Sequence, residues 1–458
     1  MEQNNKKDSF RDRISTQTES GRRAWVFVNP PKGTLHFYRS LVAAILLLFF
    51  FVAPFIRVND APFLLFDVIH RKFILFGKVF WPQDFHLLVI AMITFLVALV
   101  LFTVVYGRIW CGWACPQTIF LEMLYRKVEF LIDGNAREQR RLAQSDWNFE
   151  KLWKRSLKHS IFILLSIIIS HTLLSYFVGS DQVIEMVRRG PSENWGTFAL
   201  MLLFSFVFYF LYSMFREQVC SIICPYGRLQ GVLLDSNSLL VAYDYMRGEP
   251  RGKLSKTVGN CIDCKKCVNV CPANIDIRNG TQLECVNCTA CIDACNSVMT
   301  RIKKPKGLIR FATENEIKNG KKFKINTRII AYSFVLLALL AILTTLFVTG
   351  KQTETSLLRT TGSLYQEQEN GDILNIYNLK IINKSGKDLS FEVRLLSHEA
   401  KLQQIGKKDS IASNQLLEDV ILLSISRDQL KPGSNPIRFG IFVNERLTEE
   451  VKTTFLAP

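Results

Sequence analysis

The apolar residues of this chain are gathered into long blocks, which are separated by polar and basic stretches. A helix needs roughly 20 mainly apolar residues to cross a bilayer, and five blocks approach or reach that length. They cover residues 40–56, 86–106, 160–178, 196–215 and 329–349. The pattern therefore predicts a multi-domain membrane protein with five transmembrane helices.

A sixth apolar block, residues 62–81, is interrupted by ionisable side chains. They are Asp67, His70, Arg71, Lys72 and Lys78. Charged side chains are costly at the centre of a bilayer. This block is therefore predicted to be an interfacial or re-entrant segment rather than a span.

After the fifth block the period of the apolar residues changes to two. Leu389, Phe391, Val393 and Leu395 alternate with polar residues, and residues 437–443 repeat the alternation. Such alternation in short segments is typical of half-buried strands. Several such strands over about 100 residues predict a C-terminal immunoglobulin-like β-sandwich with antiparallel strands.

Eight of the 12 cysteines fall in one stretch, where one spacing occurs twice. Residues 261–271 and 285–295 each have the order C-x2-C-x2-C-x3-C. This is the bacterial ferredoxin pattern, in which the fourth Cys of each half ligates the cluster of the other half. The pattern predicts two [4Fe–4S] clusters. One is assigned to Cys261, Cys264, Cys267 and Cys295, and the other to Cys285, Cys288, Cys291 and Cys271.

Two other uses of cysteine fit this stretch poorly. Zinc sites also contain C-x2-C pairs, but three cysteines per half followed by an x3 step is not their pattern. A disulfide framework requires an oxidising compartment, which the distribution of basic residues argues against.

Lys and Arg are concentrated in the loops 107–159 and 216–328, whereas the loop 179–195 has only Arg188 and Arg189. Cytoplasmic loops carry the excess of these residues. The N-terminal tail, both basic loops and the ferredoxin insert are therefore predicted to be cytoplasmic. The β-sandwich is predicted to lie outside the cell (inner) membrane, in the periplasm of a bacterium with an outer membrane. All 12 cysteines then face a reducing compartment, which favours metal ligands and redox thiols.

The net charge of +17 is explained by the same topology, because the basic residues flank the apolar blocks. Nucleic acid is therefore not expected as a partner, whereas membrane lipid is. The patterns divide the chain into five parts. These are a basic tail (1–38), a membrane domain with four spans (39–215), a loop with the ferredoxin module at about 255–300 (216–327), a fifth span (328–350), and a linker with the β domain (351–458).

Two further cysteine pairs follow spans that run towards the cytoplasm. Cys111 and Cys115 follow the second span, Cys220 and Cys224 follow the fourth, and each pair reads C-x3-C-P. Proline disfavours a helical conformation of the residue before it, so each pair is predicted to mark a helix end. Four thiolates brought together would favour Cu(I), zinc or an iron–sulfur centre. The alternative is that these cysteines are small buried apolar residues, but two matched pairs beside a ferredoxin module favour a functional role.

Three histidines are predicted to lie towards the outer side of the membrane: His70, His86 and His171. An ionisable residue within a span is a candidate functional residue. Ligation of haem or copper would require two of them to converge, and a structural, hydrogen-bonded role is the alternative. His36, His159 and His398 are interpreted as surface or interfacial residues.

The combination of these features resembles the FixG/RdxA/CcoG family of cytochrome c oxidase accessory proteins, from about Phe27 to the C-terminus. Residues 110–117, 224–228 and 307–310 look like that family's local motifs. Membrane ferredoxins of nitrate and nitrous-oxide respiration share the cysteine motifs but lack the matching β domain. Residues 355–458 therefore favour the oxidase-accessory family.

The resemblance implies reduction of Cu(II) to Cu(I) during assembly of a copper-containing terminal cytochrome oxidase. It implies that oxidase, or its copper-delivery factors, as a partner, with an electron donor whose identity the sequence leaves open. On this hypothesis copper is bound and reduced at Cys111, Cys115, Cys220 and Cys224.

Two other functions compete with the copper hypothesis. One is an electron-transfer subunit that serves a quinone or respiratory partner without copper chemistry. The other is an oxidase-assembly scaffold with structural clusters. Eight cluster cysteines argue against the scaffold, because a four-Cys zinc site would stabilise a fold without redox chemistry.

The distribution of Lys and Arg generates a first testable prediction. Alkaline phosphatase fused at residue 300 should be inactive, because that residue is predicted to be cytoplasmic, whereas a fusion at residue 458 should be active. Green fluorescent protein fused at the same two positions should give the opposite pattern. The same sidedness at both positions would show that the fifth span or the whole orientation is wrong.

Overall fold

The computed structural model describes most of the chain. The described residues are 15–17, 22–58, 61–68, 72–81, 84–193, 195–252, 259–320, 325–349, 353–360, 362, 364–369, 371–384, 387–397, 400–406, 409–413, 415–443 and 445–458. His70, His398 and most of the basic residues of the N-terminal tail lie outside these ranges.

Five helices are long and apolar enough to cross a membrane, which confirms the number of spans predicted. They are Thr34–Phe55, Phe85–Tyr106, Phe149–Val178, Trp195–Phe215 and Thr327–Thr349. The third helix begins well before the predicted apolar block. Its first turns are polar, so the apolar pattern did not include them. Asn148 caps this helix by accepting a hydrogen bond from the Lys151 N–H at 2.8 Å.

Shorter helices surround the ends of the spans. They are Ile109–Trp113, Pro116–Ile119, Arg126–Ile132, Ala136–Gln144, Ser180–Glu193, Pro225–Leu233, Tyr245–Gly248, Lys266–Asn269, Ala290–Arg301 and Glu314–Asn319. Three segments form π-helices: Phe120–Tyr125, Leu211–Phe215 and Val219–Ile223. Segments of this kind are rare and are often found at functional sites.

The ferredoxin insert is built on a two-stranded sheet. Strand Leu240–Tyr243 pairs antiparallel with Ile309–Ala312, on either side of the cysteine loops. Val241, Met299 and Ile309 form a buried core together with Cys261, Cys267 and Cys295. The insert also contacts the first span, where the Asp293 carboxylate accepts a hydrogen bond from the His36 N–H at 2.8 Å. A carboxylate at a helix N-terminus is favourable because the first N–H groups have no partner within the helix.

Residues 55–88 and 343–458 form a second compact unit, which contains a β-sandwich. One sheet has the strand order Lys401–Gln404, Leu416–Ile425, Ile373–Asn383 and Thr353–Arg359, with Gln366–Glu367 paired to Ile373–Asn383. The other has the order Ser410–Ile411, Leu389–Leu395, Gly433–Val443 and Arg446–Ala457. All described pairings in both sheets are antiparallel. The immunoglobulin-like domain predicted from alternating residues is confirmed.

The sixth apolar block forms strands. Leu64–Asp67, Lys72–Leu75 and Lys78–Phe80 make a three-stranded antiparallel sheet after the short pair Arg57–Val58 and Ala61–Pro62. Its inward side chains are Leu65, Ile74 and Val79. Among the described charged residues of the block, Asp67 and Lys72 lie on the same strand faces as Leu65 and Ile74, and Lys78 lies on the face opposite Val79.

A partly buried group of ion pairs links this small sheet region to the sandwich. The Lys384 ammonium lies 2.6 Å from the Asp84 carboxylate and 2.7 Å from that of Glu354. The ammonium of Lys78 donates to the carbonyl of Phe347 at 3.2 Å. Residues 55–88 are thus part of the same folded unit as the C-terminal region.

Tyr377 joins the two sheets of the sandwich and provides a test of its packing. Its ring is fully buried, and its hydroxyl donates to the Thr454 carbonyl at 2.9 Å. We expect Tyr377→Ala to destabilise this unit by about 3–5 kcal/mol through the cavity it leaves. Tyr377→Phe removes only the hydroxyl and should cost about 1 kcal/mol.

The measurement is pulse proteolysis in urea of the full chain in detergent, with a C-terminal tag to follow the β unit. A midpoint in Tyr377→Ala equal to that of the unmodified chain would contradict the packing described. Leu447→Ala, which changes an exposed side chain in the same unit, is the control.

Candidate functional site

The two halves of the ferredoxin insert follow the same backbone path around their cysteines. Asp263 and Asn287, two positions after the first Cys of each half, both have φ 53°. Lys265 and Thr289, four positions after it, are left-handed as well, with φ 54° and 66°. Left-handed residues in such turns help backbone N–H groups to converge, as they do around iron–sulfur sites. The duplicated spacing is therefore also a structural repeat.

The first group of thiols lies in the core of the insert. Cys261, Cys267 and Cys295 are buried, whereas Cys264 is exposed. Burial, together with the neighbouring thiols of Cys267, Cys261 and Cys264, raises the pKa of Cys295 to about 12. These four thiols are thus close enough to influence one another.

The second group consists of Cys271, Cys285, Cys288 and Cys291. Burial raises the pKa of Cys291, and the thiols of Cys288, Cys285 and Cys271 raise it further. Burial likewise raises the pKa of Cys271, with the next contributions from Cys288 and Cys285. The fourth Cys of each half therefore lies with the first three of the other half. This is the grouping that crossed ligation requires.

The chemistry of both groups fits iron–sulfur clusters. Each offers four soft thiol donors, and backbone N–H groups point at several of them. Burial raises the pKa of Cys271 and Cys285, and backbone N–H groups act in the opposite direction: those of Ile275 and Ala273 at Cys271, and that of Asn287 at Cys285. Backbone donors of this kind stabilise cluster sulfurs and tune their potential. Ligation by these eight residues stays a prediction.

No three His, Cys, Asp or Glu side chains among the described residues lie close enough to hold a single metal ion.

The two C-x3-C-P motifs adopt matching conformations. Cys115 has φ −63° and ψ 125°, and Cys224 has φ −69° and ψ 113°. Each extended Cys is followed by a proline at the first position of a new helix. Proline fits that position because it needs no N–H partner there. The predicted helix ends are confirmed, and each motif also begins the next helix.

The four thiols of these motifs line one cavity of about 150 Å³. Burial raises the pKa of Cys111 to about 11, although a hydrogen bond from the Gln230 side chain acts in the opposite direction. Burial, with the nearby thiols of Cys115, Cys111 and Cys224, raises the pKa of Cys220 to about 12. The structure thus brings together two pairs of cysteines that are far apart in sequence.

The wall of this thiol cavity is shared with the ferredoxin insert. Pro272, Ala273 and Val286 line the thiol cavity and also a narrow space surrounded by the second group of cluster cysteines. The second group is therefore the one adjacent to the thiol cavity.

Gly112 makes the closest contact between the first motif and the insert. A Cβ atom at this position would lie 2.3 Å from the Val286 carbonyl and 3.1 Å from the Cys288 nitrogen. The indole N–H of Trp113 donates to the Asn287 carbonyl at 3.3 Å. A side chain at residue 112 would force the two backbones apart, so the contact requires glycine.

Three polar residues of the site were missed by the sequence analysis. Arg39 donates through Nε to the Gly112 carbonyl at 2.7 Å, and Gln230 donates to the Cys111 sulfur at 3.1 Å. Arg108 lines the thiol cavity. Arg39 and Arg108 were detectable in principle, because each lies at the end of an apolar block and a buried charge there needs a function or a partner.

A buried ion pair holds the chain just before the second motif. The Arg216 guanidinium donates to both carboxylate oxygens of Glu129, at 2.7 and 2.8 Å. Burial raises the pKa of Glu129, but the charge and hydrogen bonds of Arg216 outweigh that effect and hold it below its usual value. Arg216 has φ 51°, a strained value for a residue with a side chain. This bidentate pair therefore positions the turn that leads to Cys220.

The histidines have structural contacts where they are described. The His171 ring nitrogen Nδ1 lies 2.8 Å from the Ile167 carbonyl of its own helix. His159 contacts the Tyr209 hydroxyl at 2.9 Å. This hydrogen bond of His171 is of the kind that its structural alternative requires, and the role of His171 stays a prediction.

Three protein-family models match parts of the chain. A 4Fe-4S binding domain matches residues 88–134, and a 4Fe-4S dicluster domain matches residues 215–314. The IG-like fold at the C-terminus of FixG matches residues 343–458.

Individual proteins match over longer ranges. Protein RdxA of Cereibacter sphaeroides is 34% identical over 390 residues, which are 81% of this chain and 82% of RdxA. Protein RdxB of the same organism is 33% identical, covering 83% of this chain and 84% of RdxB. The nitrogen fixation protein FixG of Rhizobium meliloti is 35% identical, covering 64% of this chain and 58% of FixG. With five membrane-spanning helices, two ferredoxin repeats and the C-terminal β-sandwich, the chain belongs to the FixG/RdxA family of membrane iron–sulfur electron-transfer proteins.

Proposed function

We propose that this protein passes electrons from two [4Fe–4S] clusters to copper at its thiol cavity, reducing Cu(II) to Cu(I) for assembly of a terminal cytochrome oxidase. The observation that supports this proposal most directly is the position of that cavity. Cys111, Cys115, Cys220 and Cys224 line it together with residues of the second cluster loop.

The shared wall suggests the order in which the centres act. Pro272 follows the cluster cysteine Cys271 directly, and Val286 follows Cys285. Both line the thiol cavity. A short path of bonded atoms therefore runs from the second group of cluster cysteines to the wall of the thiol cavity. The first group includes the exposed Cys264, which is where an external electron donor can approach.

When bound, the clusters supply one-electron transfer. The protein binds copper and stabilises its reduced form. One electron converts Cu(II) to Cu(I), and soft thiolate ligands favour Cu(I). Each thiol that coordinates copper releases its proton. The amide of Gln230, which donates to Cys111 at 3.1 Å, stabilises the thiolate at that position.

A second candidate function has its own support. The family model that matches residues 88–134 is a 4Fe-4S binding domain, and that range includes Cys111 and Cys115. The four thiols would then hold a third iron–sulfur cluster. Electrons would leave the protein for a quinone or respiratory partner without copper chemistry.

The proposed orientation places the clusters and the thiol cavity in the cytoplasm. The Lys and Arg content of the loops supports it. Residues 55–88 and 343–458 belong to one compact unit, so they need to lie on the same side of the membrane. These two ranges lie on the same side if each of the five predicted helices crosses the membrane once.

Iron content tests the number of clusters. Anaerobically purified protein should contain about eight iron and eight sulfide per chain if the ferredoxin insert alone holds clusters. About twelve of each would favour the third-cluster alternative. Stoichiometric zinc without iron would contradict both proposals.

Crossed ligation is tested by Cys271→Ser. Cys271 belongs to the first half in sequence but lies with Cys285, Cys288 and Cys291. We expect the variant to lose or weaken the EPR signal of the cluster held by the second half, with the other signal retained. Loss of the signal from the cluster of Cys261, Cys264 and Cys267 instead would show that ligation is not crossed.

The copper hypothesis is tested by the double variant Cys220→Ser/Cys224→Ser. We expect it to retain about eight iron atoms and both EPR signals, because these residues lie outside the cluster groups. Its dithionite-reduced form should lose Cu(I) binding and at least 90% of Cu(II) reduction, read with a Cu(I)-specific chelator (about a tenfold effect, or 1.4 kcal/mol).

Ser221→Ala is the matched control, because it changes the same turn without removing a thiol. Copper reduction at the wild-type rate in the double variant would show that the thiol cavity is not the reduction site. An iron content that falls from about twelve to about eight would favour the third cluster.

A further inference from the structure

Two buried arginines lie where the second group of cluster cysteines meets the thiol cavity. Arg39 is 2% exposed and Arg108 is 4% exposed. An unpaired charge is costly to bury, so such groups normally face a partner of opposite charge. Arg39 and Arg108 are therefore expected to face negatively charged groups.

Arg39 lies beside the second cysteine group. Its Nε donates to the Gly112 carbonyl at 2.7 Å. Gly112 in turn packs against the backbone at Cys288. Burial raises the pKa of the Cys288 thiol, and the positive charge of Arg39 is the largest effect in the opposite direction. The Nη2 nitrogen of Arg39 is buried and has no hydrogen-bond partner.

Arg108 lies between a cluster cysteine and a cysteine of the thiol cavity. Burial lowers the pKa of its guanidinium, and the largest opposing effects come from Cys285 and Cys111. Its nitrogens Nε and Nη2 are buried and have no hydrogen-bond partner. Arg108 thus has unpaired N–H donors at the thiol cavity, and Arg39 has one behind Gly112, which packs against the second cluster loop.

The first cysteine group has a different electrostatic environment. Arg278, which lowers the pKa of Cys267 against the effect of burial, is also buried. Its charge is compensated by carboxylates, because Asp276 accepts from Nε at 2.8 Å and from Nη2 at 2.6 Å. Asp263 accepts from its remaining terminal nitrogen. This arginine therefore brings no net positive charge to the first group.

Carboxylates also lie near the second group, but they are exposed or have other partners. Glu284 is partly exposed to solvent, which screens its charge. Glu122, which raises the pKa of Cys288, pairs with Arg126 at 3.4 Å. Asp293 is buried near Cys291, but its carboxylate accepts from the His36 N–H at 2.8 Å. In the described contacts, none of these three carboxylates forms a salt bridge with Arg39 or Arg108, whereas Asp276 and Asp263 pair with Arg278.

We propose that Arg39 and Arg108 raise the reduction potential of the second cluster above that of the first, so that an electron shared by the two resides next to the thiol cavity. The inference rests on the proposed two-cluster function. Net charge and hydrogen bonds to the sulfurs are the levers that set such potentials. A positive charge stabilises the reduced cluster, which carries one more electron. The arginines are positioning residues and need not contact copper.

The experiment is an EPR-monitored potentiometric titration of the anaerobically purified full chain. In the wild type, the signal that Cys271→Ser removes should appear at the higher potential. Arg108→Gln should lower that midpoint selectively, reducing the equilibrium constant for electron transfer from the first to the second cluster at least tenfold. This equals about 59 mV for one-electron couples. Arg39→Gln should act in the same direction.

Conservative variants separate charge from structure. Arg108→Lys keeps the positive charge and should retain most of the wild-type difference between the midpoints. Arg301→Gln removes an exposed charge from the same insert and should change neither midpoint. Unchanged midpoints in both glutamine variants, or equal shifts of both clusters, would overturn the proposal.

The wild-type titration decides the question even if a glutamine variant fails to fold. Reduction of the first cluster before the second in the unmodified chain overturns the inference. A chain that forms no clusters overturns this inference and the proposed function together. If the clusters have the expected midpoint potentials but the protein does not reduce copper, only the proposed copper function is overturned.

Discussion

The contact between Gly112 and the backbone of residues 286–288 is the constraint on which the rest of the site depends. It brings a turn at the end of a membrane-spanning helix against the loop that carries Cys285 and Cys288. A methyl group at residue 112 would overlap the Val286 carbonyl, so backbone approaches backbone without an intervening side chain. This closeness lets the two halves of the site share cavity walls and places Cys111 within reach of the cluster region.

The charged groups around this contact act in different ways. Glu129 and Arg216 form a bidentate buried pair, in which each group compensates the cost of burying the other. That pair holds the strained turn before Cys220. In the part of the chain that the structure describes, neither Arg39 nor Arg108 forms a comparable pair with a carboxylate, and Nη2 of each is buried without a hydrogen-bond partner. An arrangement of this kind costs free energy in the absence of a negatively charged group. On the proposed function, the anionic sulfurs of a cluster would compensate this charge.

The site is built from two kinds of repetition. Within the ferredoxin insert, left-handed residues recur at the same positions of each half, so two loops with different sequences present their thiols in the same way. At the membrane, Cys115 and Cys224 have nearly the same extended conformation before a helix-starting proline. In the ferredoxin insert, the two repeats come together because the fourth Cys of each half lies with the first three cysteines of the other half. At the membrane, the two C-x3-C-P motifs come together by packing, since both line the thiol cavity. The proposed electron transfer requires the ferredoxin repeat and the C-x3-C-P repeat, because neither repeat alone connects the insert to the membrane motifs.

The sequence by itself determined the features that depend on local geometry. Hydropathy predicts five spans because a bilayer requires about 20 apolar residues per helix. A period of two predicts strands because successive side chains point to opposite faces. Cysteine spacing predicts the cluster groups because most ligands of each cluster lie within a few residues of one another. The tertiary structure alone decided which distant segments meet. The convergence of Cys111 with Cys220, the burial of Arg39 and Arg108, and the small sheet at residues 57–80 depend on packing between elements far apart in the chain. No local period or spacing encodes such contacts, since they follow from side-chain fit and backbone approach in three dimensions.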